Sequence, residues 1–261
     1  MSGDQIALFY LARGADADHL ESIQRFVRSY RNRPAGVDHE LVVIFKGFAS
    51  ERALAAARSA MDGIAFQEAH TGDDAFDLGA YADAIVRLDC ERAAFLNTGS
   101  EPIAFNWLRK LSVALDLQGV GLVGASGSFE VGVSGGMFPN VHVRTNAFMM
   151  RTPLARQTLG RLTIKTKRDA HQAEHGLNSL TRQVVSRGLT ALIVGANGRA
   201  YAPEWWSGSR TFRQGNQANL LVADNQTRAW DALTWPERKT VYETTWGAIR
   251  TPAQPFGDPR S

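Results

Sequence analysis

The chain has 261 residues, of which 44% are hydrophobic and 21% charged, a composition typical of globular domains and unlike that of disordered or fibrous chains. Its 29 basic and 26 acidic side chains give a net charge of +3 at pH 7, without a block of like charges, so no nucleic-acid partner is expected. No apolar run reaches the roughly 18 residues of a membrane-spanning helix, and no secretory signal is evident at the N-terminus. With the lone Cys90, these features predict a cytoplasmic protein without a transmembrane segment.

Apolar runs alternate with amphipathic segments in the N-terminal part of the chain. Strands are predicted at residues 6–11, 41–45 and 93–96, and helices at residues 20–30, 50–61 and 80–88. The strands are apolar throughout, which is typical of strands buried on both faces of a parallel sheet. The alternation predicts an α/β fold in which helices flank a mostly parallel central sheet.

The remaining elements are predicted with the same rules. They are a helix at residues 102–115, strands at 120–123, 141–150 and 192–194, a glycine-rich loop at 127–139 and a helix at 179–187. Residues 226–261 are predicted to form a helical extension and a coil tail. We expect this extension to pack on a single domain formed by residues 1–225.

Two glycine motifs match the letters of known sites but have the wrong neighbours. Residues 119–124 match the dinucleotide-binding fingerprint, which needs a strand before it and a helix after it. Here a predicted helix precedes the motif and a loop follows it. Residues 132–136 match the nucleophile elbow of α/β hydrolases, but no apolar strand leads into the serine. We interpret the first motif as a strand and the second as a flexible loop.

The segment 171–175 has the H-x-x-E-H pattern of a class of zinc peptidases. In that pattern His171 and His175 would bind zinc while Glu174 activates a water molecule. The following Gly176 disfavours the helix that this geometry requires, and a third protein ligand is still needed. A zinc hydrolase is therefore one alternative, and a pair of solvated histidines is the other.

A polar turn at residues 97–101 follows the predicted strand 93–96. Open α/β sheets place their ligands at the carboxyl ends of the strands, so the position favours a binding site. The same residues are also typical of a structural turn in which Ser100 caps a helix that begins at Pro102. Both interpretations are open at this point.

Five stretches together resemble GT-A-type bacterial glycosyltransferases of the family-two-like kind. They are residues 76–81, 94–101, 119–128, 139–150 and 174–183. The resemblance spans about residues 5–225 and is to an uncharacterised glycosyltransferase-like group. It implies a GT-A fold and transfer of a sugar, with inversion, from a nucleotide-sugar donor to a hydroxyl of a glycan or lipid-linked acceptor. It further implies a role in the synthesis of cell-surface polysaccharide or glycoconjugates.

The resemblance also implies roles for individual residues. Glu174 would be the general base that takes the proton of the acceptor hydroxyl. The residues implied to bind the nucleotide sugar are Asp77, Gly79, Asn97, Thr98, Ser100, Arg144 and Asn146. The alternative for Glu174 is a structural one, in which its carboxylate caps the helix that it precedes.

The turn departs from the family pattern at its metal-binding positions. Asn97 and Gly99 stand where the family usually carries the two aspartates of an Asp-x-Asp motif, and Mg²⁺ or Mn²⁺ prefers carboxylate oxygens. Either Glu101 replaces them as a ligand, or an arginine such as Arg144 replaces the ion. The further alternative is a catalytically silent protein that binds sugar nucleotides. Lys46 also stands where many relatives carry an acid that holds the base.

Overall fold

The computed structural model describes residues 5–73, 76–132, 137–162, 164 and 166–248, with residues 167 and 171 described by their backbone alone. The strands of this part of the chain are β1 Ile6–Arg13, β2 Glu40–Lys46, β3 Gln67–Thr71, β4 Arg92–Leu96, β5 Glu101–Pro102, β6 Val120–Gly124, β7 Gly127–Ser128, β8 His142–Val143, β9 Ala147–Arg151, β10 Thr190–Val194, β11 Ala200–Tyr201 and β12 Val222–Ala223. The helices are α1 His19–Asn32, α2 Glu51–Ala60, α3 Phe76–Ile85, α4 Trp107–Leu115, α5 Thr152–Leu159, α6 Lys167–His175, α7 Leu180–Val185, α8 Asn225–Ala232 and α9 Trp235–Trp246. A 3-10 helix spans Pro203–Gly208.

The central sheet has eight strands in the order β11-β10-β6-β9-β4-β1-β2-β3. All of them run parallel except β9, which is antiparallel to β4 and β6, and β11, which is antiparallel to β10. Two short antiparallel pairs, β5 with β12 and β7 with β8, lie outside this sheet. The predicted α/β fold with a mostly parallel sheet between helices is therefore confirmed.

The core lies on both faces of the sheet because successive side chains of a strand point to opposite faces. On β1, Leu8 and Tyr10 belong to the core beneath α1, α2 and α4. Ala7 and Phe9, on the other face, belong to the core beneath α3, α5 and α7. The two faces explain why the predicted strands are apolar at every position.

Several predicted boundaries are wrong. The helix predicted at 102–115 begins at Trp107, because Glu101 and Pro102 pair with β12 and Asn106 has the left-handed φ of 57°. The strand predicted at 141–150 is divided into β8 and β9 by residues 144–146. The edge strand β3 was not predicted, because its residues are largely exposed and polar.

The structure also shows which interpretation of the first glycine motif is right. Residues 120–124 form the buried strand β6, and β7 follows instead of a helix, so the fingerprint is not a dinucleotide site. Four residues of the second motif, 133–136, lie outside the described residues. In the part of the chain that is described, no helix is long and apolar enough to cross a membrane.

Candidate functional site

A cleft lies at the carboxyl edge of the parallel strands, where α/β sheets bind their ligands. The first compartment has a volume of about 520 Å³, and its lining includes Asp16, the turn after β4 and Arg228. The second has a volume of about 420 Å³, and its lining includes Lys46, Thr145 and Glu174. Arg13 and Asp77 line both compartments, so the two adjoin. Their volumes fall in the usual range for small-molecule sites, about 300–1,000 Å³.

Arg13 ends β1 between the two compartments. Its Nε and Nη2 atoms donate to the two carboxylate oxygens of Asp73 at 2.9 and 3.0 Å, and its Nη1 donates to Asp16 at 2.6 Å. Its backbone N–H donates to Thr98 Oγ1 at 3.2 Å, which joins β1 to the turn after β4. These contacts hold the guanidinium in a fixed orientation.

Lys46 ends β2 with a buried ammonium group. Its side chain is only 1% exposed, and Nζ lies 3.7 Å from Asp73 Oδ1. Burial lowers the pKa of Lys46, against the opposing effect of Asp77 and Asp73. Burial also raises the pKa of Asp77. Two titratable groups with shifted pKa values therefore face the second compartment, which is typical of functional sites.

Glu174 lies near the C-terminal end of α6 and lines the second compartment. Its Oε1 accepts hydrogen bonds from the hydroxyl and the backbone N–H of Thr145, at 3.1 and 3.4 Å. Burial alone would raise its pKa, but the neighbouring His175, His142 and Arg144, together with the hydrogen bond from the Thr145 N–H, outweigh burial and lower it. The carboxyl group is consequently ionised at neutral pH.

The structural alternative for Glu174 is wrong. The helix that follows it, α7, is capped by Ser179, whose side chain accepts a hydrogen bond from the Arg182 N–H. Glu174 is a residue of the preceding helix, and its carboxylate is directed to Thr145. The sequence signal for that preceding helix is the capping box of Thr166 and Asp169.

Two histidines pack beside the Glu174 carboxylate. The rings of His142 and His175 meet edge to face with their centroids 4.3 Å apart, and His175 Nε2 lies 3.5 Å from Glu174 Oε2. His142 Nδ1 donates to the Asn140 carbonyl at 2.8 Å. Burial and the neighbouring His175 lower the pKa of His142 to about 4, so its ring is neutral at pH 7.

The described residues do not complete the zinc site that the H-x-x-E-H pattern would need. No group of three histidine, cysteine, aspartate or glutamate side chains among these residues is placed to hold an ion. The side chain of His171 lies outside the described residues. His175 is not a solvated histidine, because it is packed against His142 and Glu174.

The turn after β4 contributes Asn97, Thr98 and Gly99 to the first compartment. Ser100, by contrast, is only 1% exposed. Its hydroxyl lies within hydrogen-bond distance of the Asn146 carbonyl and of Asn97 Oδ1. Because no helix begins at Pro102, the predicted capping role of Ser100 is wrong, and its hydroxyl fixes the turn instead.

The structure places other predicted binding residues away from the cleft surface. The guanidinium of Arg144 is buried, donates to Asp224 Oδ2 at 2.6 Å and lies 3.9 Å from the centre of the Phe212 ring. Asn146 is 3% exposed, and its Oδ1 accepts a hydrogen bond from Ser126. Gly79 lies inside α3, two residues beyond Asp77. None of the three is part of the lining of either compartment.

Arg228 is a residue of this site that sequence reasoning missed, as are Arg13 and Thr145. Arg228 lies on α8, and its Nη1 is 3.4 Å from both the Gly99 carbonyl and Glu101 Oε2. Glu101, the predicted metal ligand, is therefore paired with a guanidinium. No motif marks Arg228 in the sequence, where the segment has only the features of a helical extension.

Comparison with known proteins identifies no family for this chain. No protein-family model matches the chain, and no curated protein matches it. Among solved structures it is similar to a 4-diphosphocytidyl-2C-methyl-D-erythritol synthase from Anaerococcus prevotii DSM 20548, at 11% identity and a TM-score of 0.49, over 74% of this chain and 89% of that one. It is also similar to a CMP:2-keto-3-deoxy-manno-octonic acid synthetase complexed with CTP, at 11% identity and a TM-score of 0.47, over 73% and 89%. Because no family model and no curated relative matches, membership of the GT-A family stays a prediction.

Proposed function

We propose that this protein is a glycosyltransferase that binds a nucleotide sugar in the cleft and transfers the sugar to a hydroxyl group of a glycan or lipid-linked acceptor. The observation that supports the proposal is the position of Glu174. Its ionised carboxylate lines the second compartment, which adjoins the polar, nucleotide-sized first compartment. A base beside a ligand-sized site is the arrangement that hydroxyl activation needs.

The first compartment supplies groups for the nucleotide diphosphate. Arg13 and Arg228 bring two guanidinium groups to its wall, while Asn97 and Thr98 bring amide and hydroxyl groups. Guanidinium groups match the geometry of phosphate oxygens and neutralise their charge. In the proposed reaction they stabilise the nucleoside diphosphate as it leaves.

The second compartment supplies the base. The hydrogen bonds from Thr145 orient the Glu174 carboxylate, and its low pKa keeps it ionised at neutral pH. Glu174 takes the proton of the acceptor hydroxyl as that oxygen attacks the anomeric carbon. The bond from the anomeric carbon to the diphosphate oxygen breaks in the same step, and the nucleoside diphosphate leaves. A single displacement of this kind inverts the anomeric centre.

Replacement of Glu174 by glutamine tests the proposal. We expect Glu174→Gln to lower kcat by about 10² or more, because glutamine cannot accept the proton, while the affinity for the donor stays close to that of the wild type. Turnover is measured as release of nucleoside diphosphate from UDP-, GDP- and dTDP-sugars. Glu243→Gln, on the exposed surface of α9, is the matched control. A folded Glu174→Gln protein with wild-type turnover would contradict the proposal.

The second candidate is a catalytically silent protein that binds sugar nucleotides. The composition of the turn favours it, because Asn97 and Gly99 replace carboxylates and Glu101 is paired with Arg228. This candidate predicts saturable binding of one donor without release of nucleoside diphosphate. Both candidates predict that Glu174→Gln leaves donor affinity unchanged. Turnover by the wild type therefore distinguishes them.

A further inference from the structure

The turn after β4 carries no set of metal ligands, and the guanidinium of Arg228 from α8 lies against it. Asn97 and Gly99 offer no carboxylate, and the carboxylate of Glu101 lies 3.4 Å from the Arg228 guanidinium. A ligand set for Mg²⁺ or Mn²⁺ would need several oxygen donors free to face the ion. The residues of this turn therefore do not fit the divalent cation that the family resemblance implies.

The contacts of the arginines at this edge of the sheet differ in strength. Arg13 makes three short hydrogen bonds, of 2.6 to 3.0 Å, to two carboxylates. Arg144 is buried against Asp224. Arg228 makes contacts of 3.4 Å only, and its side chain is 33% exposed. Contacts at the long limit of hydrogen bonding are weak, so Arg228 can exchange them for phosphate oxygens at little cost.

Two of the three acids that line the first compartment, Asp16 and Asp18, are engaged elsewhere and do not hold Arg228. Asp16 is paired with Arg13, and Asp18 is bonded to Arg25 and Ser22. Their negative charges are therefore compensated by neighbouring donors. An anion that enters the compartment meets Arg228 as the guanidinium with the fewest short contacts.

We infer that Arg228 takes the place of a divalent cation, donating hydrogen bonds to the diphosphate of the nucleotide and neutralising its charge. The inference rests on the proposed function, because it assigns the ligand of the same cleft. It has a specific consequence, namely that nucleoside diphosphates bind without metal. Arginine supplies the charge permanently, since its guanidinium stays protonated at any physiological pH.

Calorimetric titration of UDP, CDP and GDP into the full chain tests the inference, with EDTA in one series and Mn²⁺ in another. The variants are Arg228→Gln, which removes the charge, and Arg228→Lys, which keeps the charge but not the planar fork. Arg87→Gln is the matched control, because Arg87 is exposed just beyond α3 at the opposite edge of the sheet. Melting temperatures establish that each variant is folded.

We expect at least one nucleoside diphosphate to bind the wild type equally well in EDTA and in Mn²⁺. Arg228→Gln should weaken that binding by about 10- to 100-fold, as expected for loss of charge-assisted hydrogen bonds, with Arg228→Lys between the two and Arg87→Gln unchanged. Binding that requires Mn²⁺, or a folded Arg228→Gln protein with wild-type affinity, would overturn the inference while leaving the proposed function intact. Absence of binding by the wild type in both series would overturn both.

Discussion

Two ion pairs connect the region of α8 to the carboxyl edge of the sheet, and they differ in almost every physical respect. Arg144 and Asp224 lie 2.6 Å apart with side chains 8% and 1% exposed. Arg228 and Glu101 lie 3.4 Å apart with side chains 33% and 28% exposed. Asp224 and Arg228 are four residues apart in the chain, so neighbouring positions have opposite environments.

The difference shows that burial, not residue type, separates an arginine held by the fold from one that is accessible to a ligand. Arg144 is enclosed by Asp224, Ser126 and the Phe212 ring, and removing it from these contacts would leave buried charge without a partner. Arg228 faces solvent and the first compartment, where water screens its pairing with Glu101. The chemistry of a guanidinium suits either arginine to a binding role, but the geometry favours Arg228, which lines the first compartment, over Arg144, which does not.

The largest effect is expected at the buried pair. Asp224→Asn should lower the free energy of unfolding by about 3–5 kcal/mol, because it leaves the Arg144 charge without a buried counter-charge. Asp224→Ala should cost about 1 kcal/mol more, since Asp224 also caps α8 through the Thr227 N–H. Urea unfolding measures both. A loss below about 1 kcal/mol for Asp224→Asn would show that the pair does not anchor α8.

The buried histidine beside Glu174 should make stability depend on pH. His142 has a pKa of about 4 in the folded protein because of burial, against roughly 6.5 in an unfolded chain. Between these values the unfolded state binds more protons, so the free energy of unfolding should fall by about 3 kcal/mol as the pH drops from about 6.5 to 4. This contribution is fully present above pH 6.5.

Unfolding curves recorded across this pH range check the prediction. His142→Asn should flatten the slope, and His70→Asn, at a side chain that is 50% exposed, is the matched control. An equal slope in wild type and His142→Asn would show that other groups cause the acid sensitivity.

The smallest effect is expected at the exposed pair. Glu101→Gln should change the free energy of unfolding by about 0–1 kcal/mol, because ion pairs in solvent contribute little. It should also leave nucleoside diphosphate affinity unchanged or increase it, since it frees the Arg228 guanidinium. Urea unfolding and the same calorimetric titration provide the two measurements. A clear loss of affinity in Glu101→Gln would indicate that Glu101 itself contacts the ligand or an ion.

The sequence predicts the central strands well because their environment is uniform. Residues 6–11 and 41–45 are buried on both faces of the sheet, so nearly every position is apolar and the pattern is unmistakable. The edge strand β3 offers no such pattern, since Gln67–Thr71 is paired with β2 alone and is largely exposed. The short strands β5 and β12 are set by pairing between distant segments, which no local pattern records.

The candidate site likewise contains residues that the sequence predicts and residues that it does not. Glu174 was predicted from a stretch of family resemblance, and the carboxyl end of β4 from the rule for parallel sheets. The second compartment depends on Lys46, Asp77 and Glu174 coming together from three elements, which the sequence alone does not bring into contact. Arg228 meets Gly99 across 129 residues of chain, and its segment carries no motif.

By itself, then, the sequence determined the alternation of strands and helices, because the burial of each element leaves a periodic trace in its own residues. It also determined that the turn after β4 lacks a pair of aspartates. The tertiary structure alone decided that Arg144 is enclosed, that Arg228 is partly exposed, and that the neighbours of Glu174 lower the pKa of its carboxyl group. These properties depend on the distances between segments that are far apart in the chain and on the exclusion of water between them. A local sequence pattern reports neither.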